Sequence, residues 1–352
     1  MSGLKSNFRD IEPYVPGEQP QYPDKIKLNT NENPYPPSPM VQKVLSDFNA
    51  DDLKLYPDPN ASELVSAIAD YYSADKSNVF VGVGSDDVLA MCFMAFFNSG
   101  KPVIFPDITY SFYPVWANLF GVKYETKPLD DNFRISKEDY FCENGGVIFP
   151  NPNAPTGVEM SLDEIEEIVQ YNSNRVVIVD EAYVDFGAKS ALPLVKKYKN
   201  LVVVQTFSKS RSLAGLRIGF AIANEELISV LNAVKNSYNS YTMNSLTIKA
   251  GAAAIADDGY FKQTTEKIIA TRENAKKQLA ELGFEFNDSK SNFIFAKHKS
   301  VKAVDIFEAL REKHIFVRYF NRPRIDNYLR ITIGTDEEMQ ALIEFLKIYL
   351  GE

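Results

Sequence analysis

A chain of 352 residues is longer than most single domains, so it predicts two domains or one large α/β domain with an appended piece. Its apolar (45%) and charged (24%) contents are those of an ordinary globular protein, and 38 Lys and Arg against 47 Asp and Glu leave a net charge of −9, which argues against a broad nucleic-acid or anionic-membrane surface. Cys92 and Cys142 make no disulfide framework and lack metal-ligand spacing, while His298 and His314 stand too far apart for H-E-x-x-H zinc sites or triads built on close pairs.

In chain order, the N-terminus MSGLKSNFRDIEP has no signal-peptide core, and the longest apolar run, Val88 to Phe97, is too short to span a bilayer. A soluble, cytoplasmic protein is expected. Residues 1–38 read as an extended arm, because PYVPGEQPQYPDKIKLNTNENPYPPSP is too polar and proline-broken for a packed helix or central strand. Tyr14, Tyr22, Tyr35, Ile26 and Leu28 favour an arm that docks over a disordered tail. From about Ser62 helices alternate with short apolar strands. Ser62 is expected to cap a helix with Leu64, Val65, Ile68, Ala69 and Tyr72 on one face. VFVGV (79–83) is a strand, followed by a helix over 86–97 with acidic residues at its start. Runs at 102–105, 146–149, 175–180, 201–207 and 217–223 are further strands, and Ser161 with Glu164 forms a capping box between two of them. Strands apolar on both faces, separated by helix-length segments, predict a mostly parallel sheet covered on both sides, which makes 39–240 a large α/β domain. Residues 241–282 read as long helices ending at Gly283. Strands at 292–297, 315–320 and 328–334, a helix at 301–313 and a final amphipathic helix at 336–350 complete a smaller α+β domain over 241–352.

No G-x-x-x-x-G-K-[ST] or G-x-S-x-G occurs, and GVGSDD (82–87) has Asp87 where a dinucleotide fingerprint needs its third glycine. That segment still runs from a strand through Gly84, Ser85 and Asp86 into a helix. Its free N–H groups either seat an anion or simply begin the helix. Ser208 and Lys209 directly follow a buried strand, with Arg217 eight residues on. The carboxyl end of such a strand is where open α/β sheets hold ligands. There a lysine, otherwise a solvated surface residue, becomes a nucleophilic amine suited to a Schiff base, with a hydroxyl and a guanidinium beside it for a phosphate. Asp180 ends another apolar strand, with Tyr183 one turn later. A carboxylate there either keeps a pyridine nitrogen protonated or closes a local salt bridge.

Eight motifs in order, KLNTNENPYPPSP, LYPDP, GVGSDD, PDITYSFY, NPNAPTG, VDEAYVDF, TFSKSRSLAGLRIGF and LRITIG, carry a resemblance over nearly the whole chain. The chain resembles the fold-type-I pyridoxal 5′-phosphate aminotransferases and, within them, the histidinol-phosphate aminotransferase family. The resemblance implies a large domain whose mostly parallel, seven-stranded sheet lies between helices, plus a smaller α+β domain. It implies that Lys209 bonds covalently to the cofactor, that Asp180 pairs with the pyridine nitrogen, and that Tyr183 hydrogen-bonds the ring's phenolic oxygen. Tyr110 would stack on the ring, and the backbone at Ser85 and Asp86, with Ser208 and Arg217, would hold the phosphate. Tyr56, in LYPDP, would reach the phosphate in the other subunit, implying a homodimer with shared sites. The family's asparagine to the phenolic oxygen falls at Ala154 of NPNAPTG, so either Asn153 takes its place or that bond, worth about a kcal/mol net, is missing.

Between Ile315 and Thr332 lie Arg318, Arg322, Arg324 and Arg330, opposed only by Asp326. By the resemblance, Arg318 and Arg330 bind the phosphate of histidinol phosphate, a dianion that two planar guanidinium forks suit, and then the carboxylates of glutamate. Tyr14 and Glu32 would approach the imidazole end. The expected activity is a ping-pong transamination between L-histidinol phosphate and 2-oxoglutarate, with no metal. Three other readings stay open: an aromatic amino-acid aminotransferase, which gains little from Arg318; a decarboxylase of a phosphorylated amino acid; and a non-enzymatic cofactor-sensing regulator. Such regulators usually carry a DNA-binding domain, and no basic helix-turn-helix segment is visible at this N-terminus.

Overall fold

A computed structural model describes residues 7–351; residues 1–6, the start of the expected arm and of the segment expected to lack a signal core, lie outside the described residues. The arm supplies β1 (Ile26–Lys27), and α1 (Pro39–Asp47) and α2 (Ser62–Tyr72) lead into β2 (Val79–Gly82). Then follow α3 (Ser85–Phe96), β3 (Val103–Pro106), α4 (Phe112–Phe120), β4 (Tyr124–Lys127), β5 (Gly146–Pro150), α5 (Leu162–Tyr171), β6 (Val177–Asp180), β7 (Leu201–Thr206) and β8 (Gly219–Ala223). Seven strands lie in the order β2-β8-β7-β6-β5-β3-β4, with β8 alone antiparallel to its neighbours.

Successive side chains of a strand face opposite ways, and the core follows that alternation. Ile148, Ile178, Val202 and Val204 pack with Val88, Leu89 and Phe93 of α3 on one side of the sheet. Val147, Phe149, Val177, Val179 and Val203 pack with Ile165, Ile168 and Val169 of α5 on the other. Both faces are covered, which is why these strands read as unbroken apolar runs. β4 escaped that reading because it is an edge strand whose side chains are largely exposed.

Helix α2 begins differently from the expectation. Ser62 is its first helical residue, and the start is capped from Asp58, whose carboxylate accepts the N–H groups of Asn60 and Ser62 at 2.9 and 2.8 Å. Those bonds, Ser62's first, hold the Asp58 carboxyl below its usual range. The capping box at α5 forms as read, with Ser161 Oγ accepting the Glu164 N–H and Glu164 accepting the Ser161 N–H.

Beyond β8, α6 (Glu225–Tyr238), α7 (Ser245–Ala256) and α8 (Asp258–Glu281) lead to β9 (Phe284–Phe286), β10 (Phe293–His298) and α9 (Ala303–Glu312). The chain ends in β11 (Ile315–Phe316), β12 (Arg318–Tyr319), β13 (Leu329–Thr332) and α10 (Asp336–Leu350). The expected single strand at 315–320 is two strands. β12 joins an antiparallel sheet, β12-β13-β10-β9, whereas β11 pairs in parallel with β1 of the arm. The reason is the arm itself. Leu28, fully buried, donates its N–H to the Phe316 carbonyl at 2.7 Å and accepts the Thr332 N–H at 3.0 Å, so it wedges between β11 and β13. Leu342, Ile343 and Leu346 of α10 cover this sheet's Ile294, Leu329 and Ile331. Among the described residues no helix is long and apolar enough to cross a membrane.

Candidate active site

Three adjacent parallel strands, β5, β6 and β7, end at Pro150, Asp180 and Thr206, and all three residues line one cleft of about 170 Å³. Carboxyl ends of strands converge where an open α/β sheet receives its ligand. Ser208 and Lys209, leaving β7, line the same cleft, as do Ser85 and Asp86 at the start of α3.

The turn from β2 into α3 needs glycine. Gly84 sits at φ +88°, and a Cβ there would enter the Arg217 guanidinium. No side chain caps α3, so its first N–H groups face the cleft side by side with that guanidinium. Arg217 donates to Asp86 Oδ2 at 3.2 Å and to Ser208 Oγ at 3.3 Å, and the Tyr110 hydroxyl donates to Asp86 Oδ1 at 2.7 Å. A helix start, a guanidinium and the Ser208 and Tyr110 hydroxyls thus gather in the cleft, with the Asp86 carboxylate among them.

Asp180 is buried, hydrogen-bonded, and within ion-pair distance of no cation among the described residues. The Tyr113 hydroxyl donates to Oδ2 at 2.9 Å and the Ala182 N–H to Oδ1 at 3.2 Å, while burial pushes its pKa up to about 6. It is a carboxylate in want of a cationic partner. Lys209 is the one lysine among the residues lining the cleft; its Nζ donates to the Thr30 carbonyl of the arm at 3.0 Å and lies 5.7 Å from the Tyr183 ring centroid. Tyr183 and Tyr110 both line the cleft.

The arginine cluster separates into distinct places. Arg324 donates to Asp107 at 3.0 Å and to the Leu129 carbonyl, and Arg322 is exposed. Arg318 and Arg330 line the cleft. Among the described residues the arginines within ion-pair distance of a carboxylate are Arg217, Arg272, Arg311 and Arg324, so these two have no such partner. Arg330 donates to the Asn29 carbonyl at 3.0 Å and lies over the rings of Phe293 and Phe320, its Nε without a partner, and burial pulls its pKa down. Tyr14 of the arm lines the cleft beside them, stacked on Phe112 at 4.1 Å.

Three expected residues stand apart from the cleft. Asn153 is buried behind the wall: its Nδ2 donates to the Ile108 carbonyl and to Thr156 Oγ1, and only Oδ1, an acceptor, is unpartnered. The lining residue there is Ala154. Glu32 accepts from Lys27 and from Thr30 Oγ1; burial raises its pKa, but those bonds outweigh it and hold it low. Tyr56 is 82% exposed, its ring against Tyr241 at 4.7 Å, away from the cleft. Conversely, the sequence reading missed Tyr113, Thr30 and Asn31. All three lie inside motifs that had been singled out, PDITYSFY and KLNTNENPYPPSP, but residue type alone did not mark them.

The family profile of aminotransferase class I and II matches residues 23–346. Histidinol-phosphate aminotransferase of Lactococcus lactis subsp. cremoris (strain MG1363) is 54% identical over 346 residues, 98% of this chain and 97% of that protein. The protein of the same name in Brachyspira hyodysenteriae (strain ATCC 49526 / WA1) is 55% identical over 347 residues, 98% of both. Among solved structures, histidinol-phosphate aminotransferase from Sinorhizobium meliloti in complex with pyridoxal-5'-phosphate matches with a TM-score of 0.83 at 25% identity, over 92% of this chain and 90% of that one. L-threonine-O-3-phosphate decarboxylase from Porphyromonas gingivalis, 22% identical with a TM-score of 0.78 over 92% of this chain and 99% of that one, shares the fold alone. Architecture by itself therefore leaves the reaction open.

Proposed function

The chain belongs to the class I and II aminotransferases, and we propose that it moves an amino group between L-histidinol phosphate and 2-oxoglutarate, giving imidazole acetol phosphate and glutamate in histidine biosynthesis. The observation that carries this reading is the pair Arg318 and Arg330, unpaired with any described carboxylate and lining the same cleft as Lys209. Relatives more than half identical along nearly their whole length, and named for that reaction, support it.

The cleft's own groups fit pyridoxal 5′-phosphate. Asp180, buried without a cation, suits a protonated ring nitrogen, and the helix start beside Arg217 suits a phosphate. When bound, the group supplies an electron sink for negative charge on the substrate's amine-bearing carbon. Lys209 Nζ, which donates to the Thr30 carbonyl, would be the amine that holds the cofactor aldehyde and, once the substrate's amine has displaced it, the base that would take and return the proton on that carbon. The backbone N–H groups of Ser85 and Asp86, with Ser208 and Arg217, would hold the phosphate, Tyr110 would stack on the ring, and Tyr183 would offer its hydroxyl to the phenolic oxygen. Asn153, with its amide hydrogens already committed, leaves the phenolic oxygen without a donor from NPNAPTG.

Arg318 and Arg330 bind the substrate phosphate and, in the second half of the cycle, the carboxylates of glutamate. Tyr14 closes the imidazole end, to which Glu32 also belongs in this proposal as an acceptor for a ring N–H. A homodimer in which the exposed Tyr56 enters the partner's site, a cytoplasmic setting, and a division into arm (1–38), large (39–240) and small (241–352) parts belong to the same proposal. The test is a half-reaction. Histidinol phosphate added to protein loaded with pyridoxal phosphate should convert the visible band to the pyridoxamine form, and borohydride should label Lys209. Labelling of another lysine, or faster conversion with phenylalanine than with histidinol phosphate, would overturn the reading.

A further inference from the structure

Tyr183 has a partner 152 positions upstream, in the N-terminal arm. Asn31 Nδ2 donates to the Tyr183 hydroxyl oxygen at 2.9 Å. The amide is held in that sense by its surroundings. Thr332 Oγ1 accepts the Asn31 backbone N–H at 3.1 Å and donates its single hydrogen to Asn31 Oδ1 at 3.0 Å, which leaves Nδ2 facing the tyrosine. Asn292 Nδ2 donates to the Asn31 carbonyl at 2.9 Å. Asn31 is 1% exposed and sits at φ +58°, a region asparagine tolerates better than most side chains.

The direction of this bond matters. A phenol oxygen that already accepts from an amide keeps its own O–H free to donate, and accepting makes it a stronger donor. That hydrogen is available to the cleft, which Tyr183 lines. Among the described residues Asn153 and Ala154 of NPNAPTG bring no second donor, since Ala154, which lines the cleft, has no polar side chain and Asn153 Nδ2 donates to the Ile108 carbonyl and Thr156 Oγ1.

We propose that Asn31 is a positioning residue that fixes Tyr183 as a hydrogen-bond donor toward the phenolic oxygen of the bound cofactor, supplying through the arm the electrostatic support that Ala154 omits. The inference rests on the cofactor reading above. It also joins two parts of the cycle. Thr332 lies two residues from Arg330 on β13, so the strand that offers a guanidinium to the substrate also holds the amide behind Tyr183.

A donor on the phenolic oxygen favours its negative form and so sets the pH at which the visible absorption of the loaded protein changes. Wild type, Asn31→Asp, Asn31→Ala, Tyr183→Phe and the double variant Asn31→Asp/Tyr183→Phe are loaded with pyridoxal phosphate and titrated spectrophotometrically. Asn31→Asp keeps the size and the backbone preference but reverses the bond, drawing the tyrosine hydrogen out of the cleft. The midpoint should rise by about one pH unit in Asn31→Asp and less in Asn31→Ala, as expected for losing a hydrogen bond to a charged oxygen. Asn31→Asp should add nothing once Tyr183 is Phe. An unmoved midpoint in both Asn31 variants while Tyr183→Phe shifts it would overturn the proposal, as would a double variant that shifts by the sum, which marks a direct charge effect. Wild-type protein that takes up no pyridoxal phosphate would instead overturn the cofactor reading.

Discussion

Replacing Asp180 by asparagine should make the cofactor-free protein more stable and the loaded protein far slower. The carboxylate is buried, accepts from Tyr113 and Ala182, and has its pKa lifted from 3.8 to about 6 by desolvation. The folded state therefore holds the proton more tightly than the unfolded chain, and stability falls as pH rises from about 4 to about 6. Above the folded pKa the whole penalty stands: about two pH units at about 1.4 kcal/mol each, or about 3 kcal/mol. Asparagine keeps the shape and an acceptor for the Ala182 N–H while removing the ionisation. Without cofactor, Asp180→Asn should gain about 3 kcal/mol at pH 7 and less than about 1 kcal/mol at pH 4. For a chain of this length, with an unfolding entropy of about 0.7 kcal/mol per kelvin, the gain at pH 7 is a rise of about 4 °C in Tm. Loaded with pyridoxal phosphate, the same variant should lose about a hundredfold or more in kcat, because under the proposed function it removes the charge that would meet the ring nitrogen. Thermal and urea unfolding of the stripped protein at the two pH values measures the first effect. An advantage equal at both pH values, or a loss of stability at pH 7, would refute the view that this charge is desolvated and uncompensated.

Arg318→Ala should lower kcat/KM for histidinol phosphate by about 10- to 150-fold, the worth of a charged hydrogen bond, and leave phenylalanine nearly unchanged; equal losses on both substrates would show that Arg318 does not read the phosphate. Gly84→Ala, which drives a methyl group into the Arg217 guanidinium at a backbone angle unsuited to alanine, should cost about 1–3 kcal/mol of stability and weaken pyridoxal-phosphate affinity, read by absorbance titration. Leu346→Ala should destabilise by about 2–5 kcal/mol in a urea melt, since Leu346 is fully buried in the core under α10; a loss under 1 kcal/mol would mean, by the same principle, that the small core collapses to fill the space.

What lay in the sequence was whatever local pattern encodes. Unbroken β-branched runs marked β3, β5, β6 and β7 because both faces of the central sheet are buried, and apolar residues at helical spacing marked α10 within its observed bounds. Lys209 and Asp180 were legible because each stands immediately beyond or at the end of such a run. An exposed edge strand, β4, carries no apolar signal and was missed. The tertiary structure decided everything that depends on distant segments meeting. Residues 28–31 lie some three hundred positions from Phe316 and Thr332, yet their hydrogen bonds split one expected strand into two and deliver Thr30 to Lys209 and Asn31 to Tyr183. The direction of the Asn153 amide likewise follows from two hydrogen bonds, one to the Ile108 carbonyl of a distant segment and one to Thr156 of its own loop. Periodicity is a property of adjacent residues, whereas the direction of a buried hydrogen bond depends on which partners the rest of the fold has already supplied.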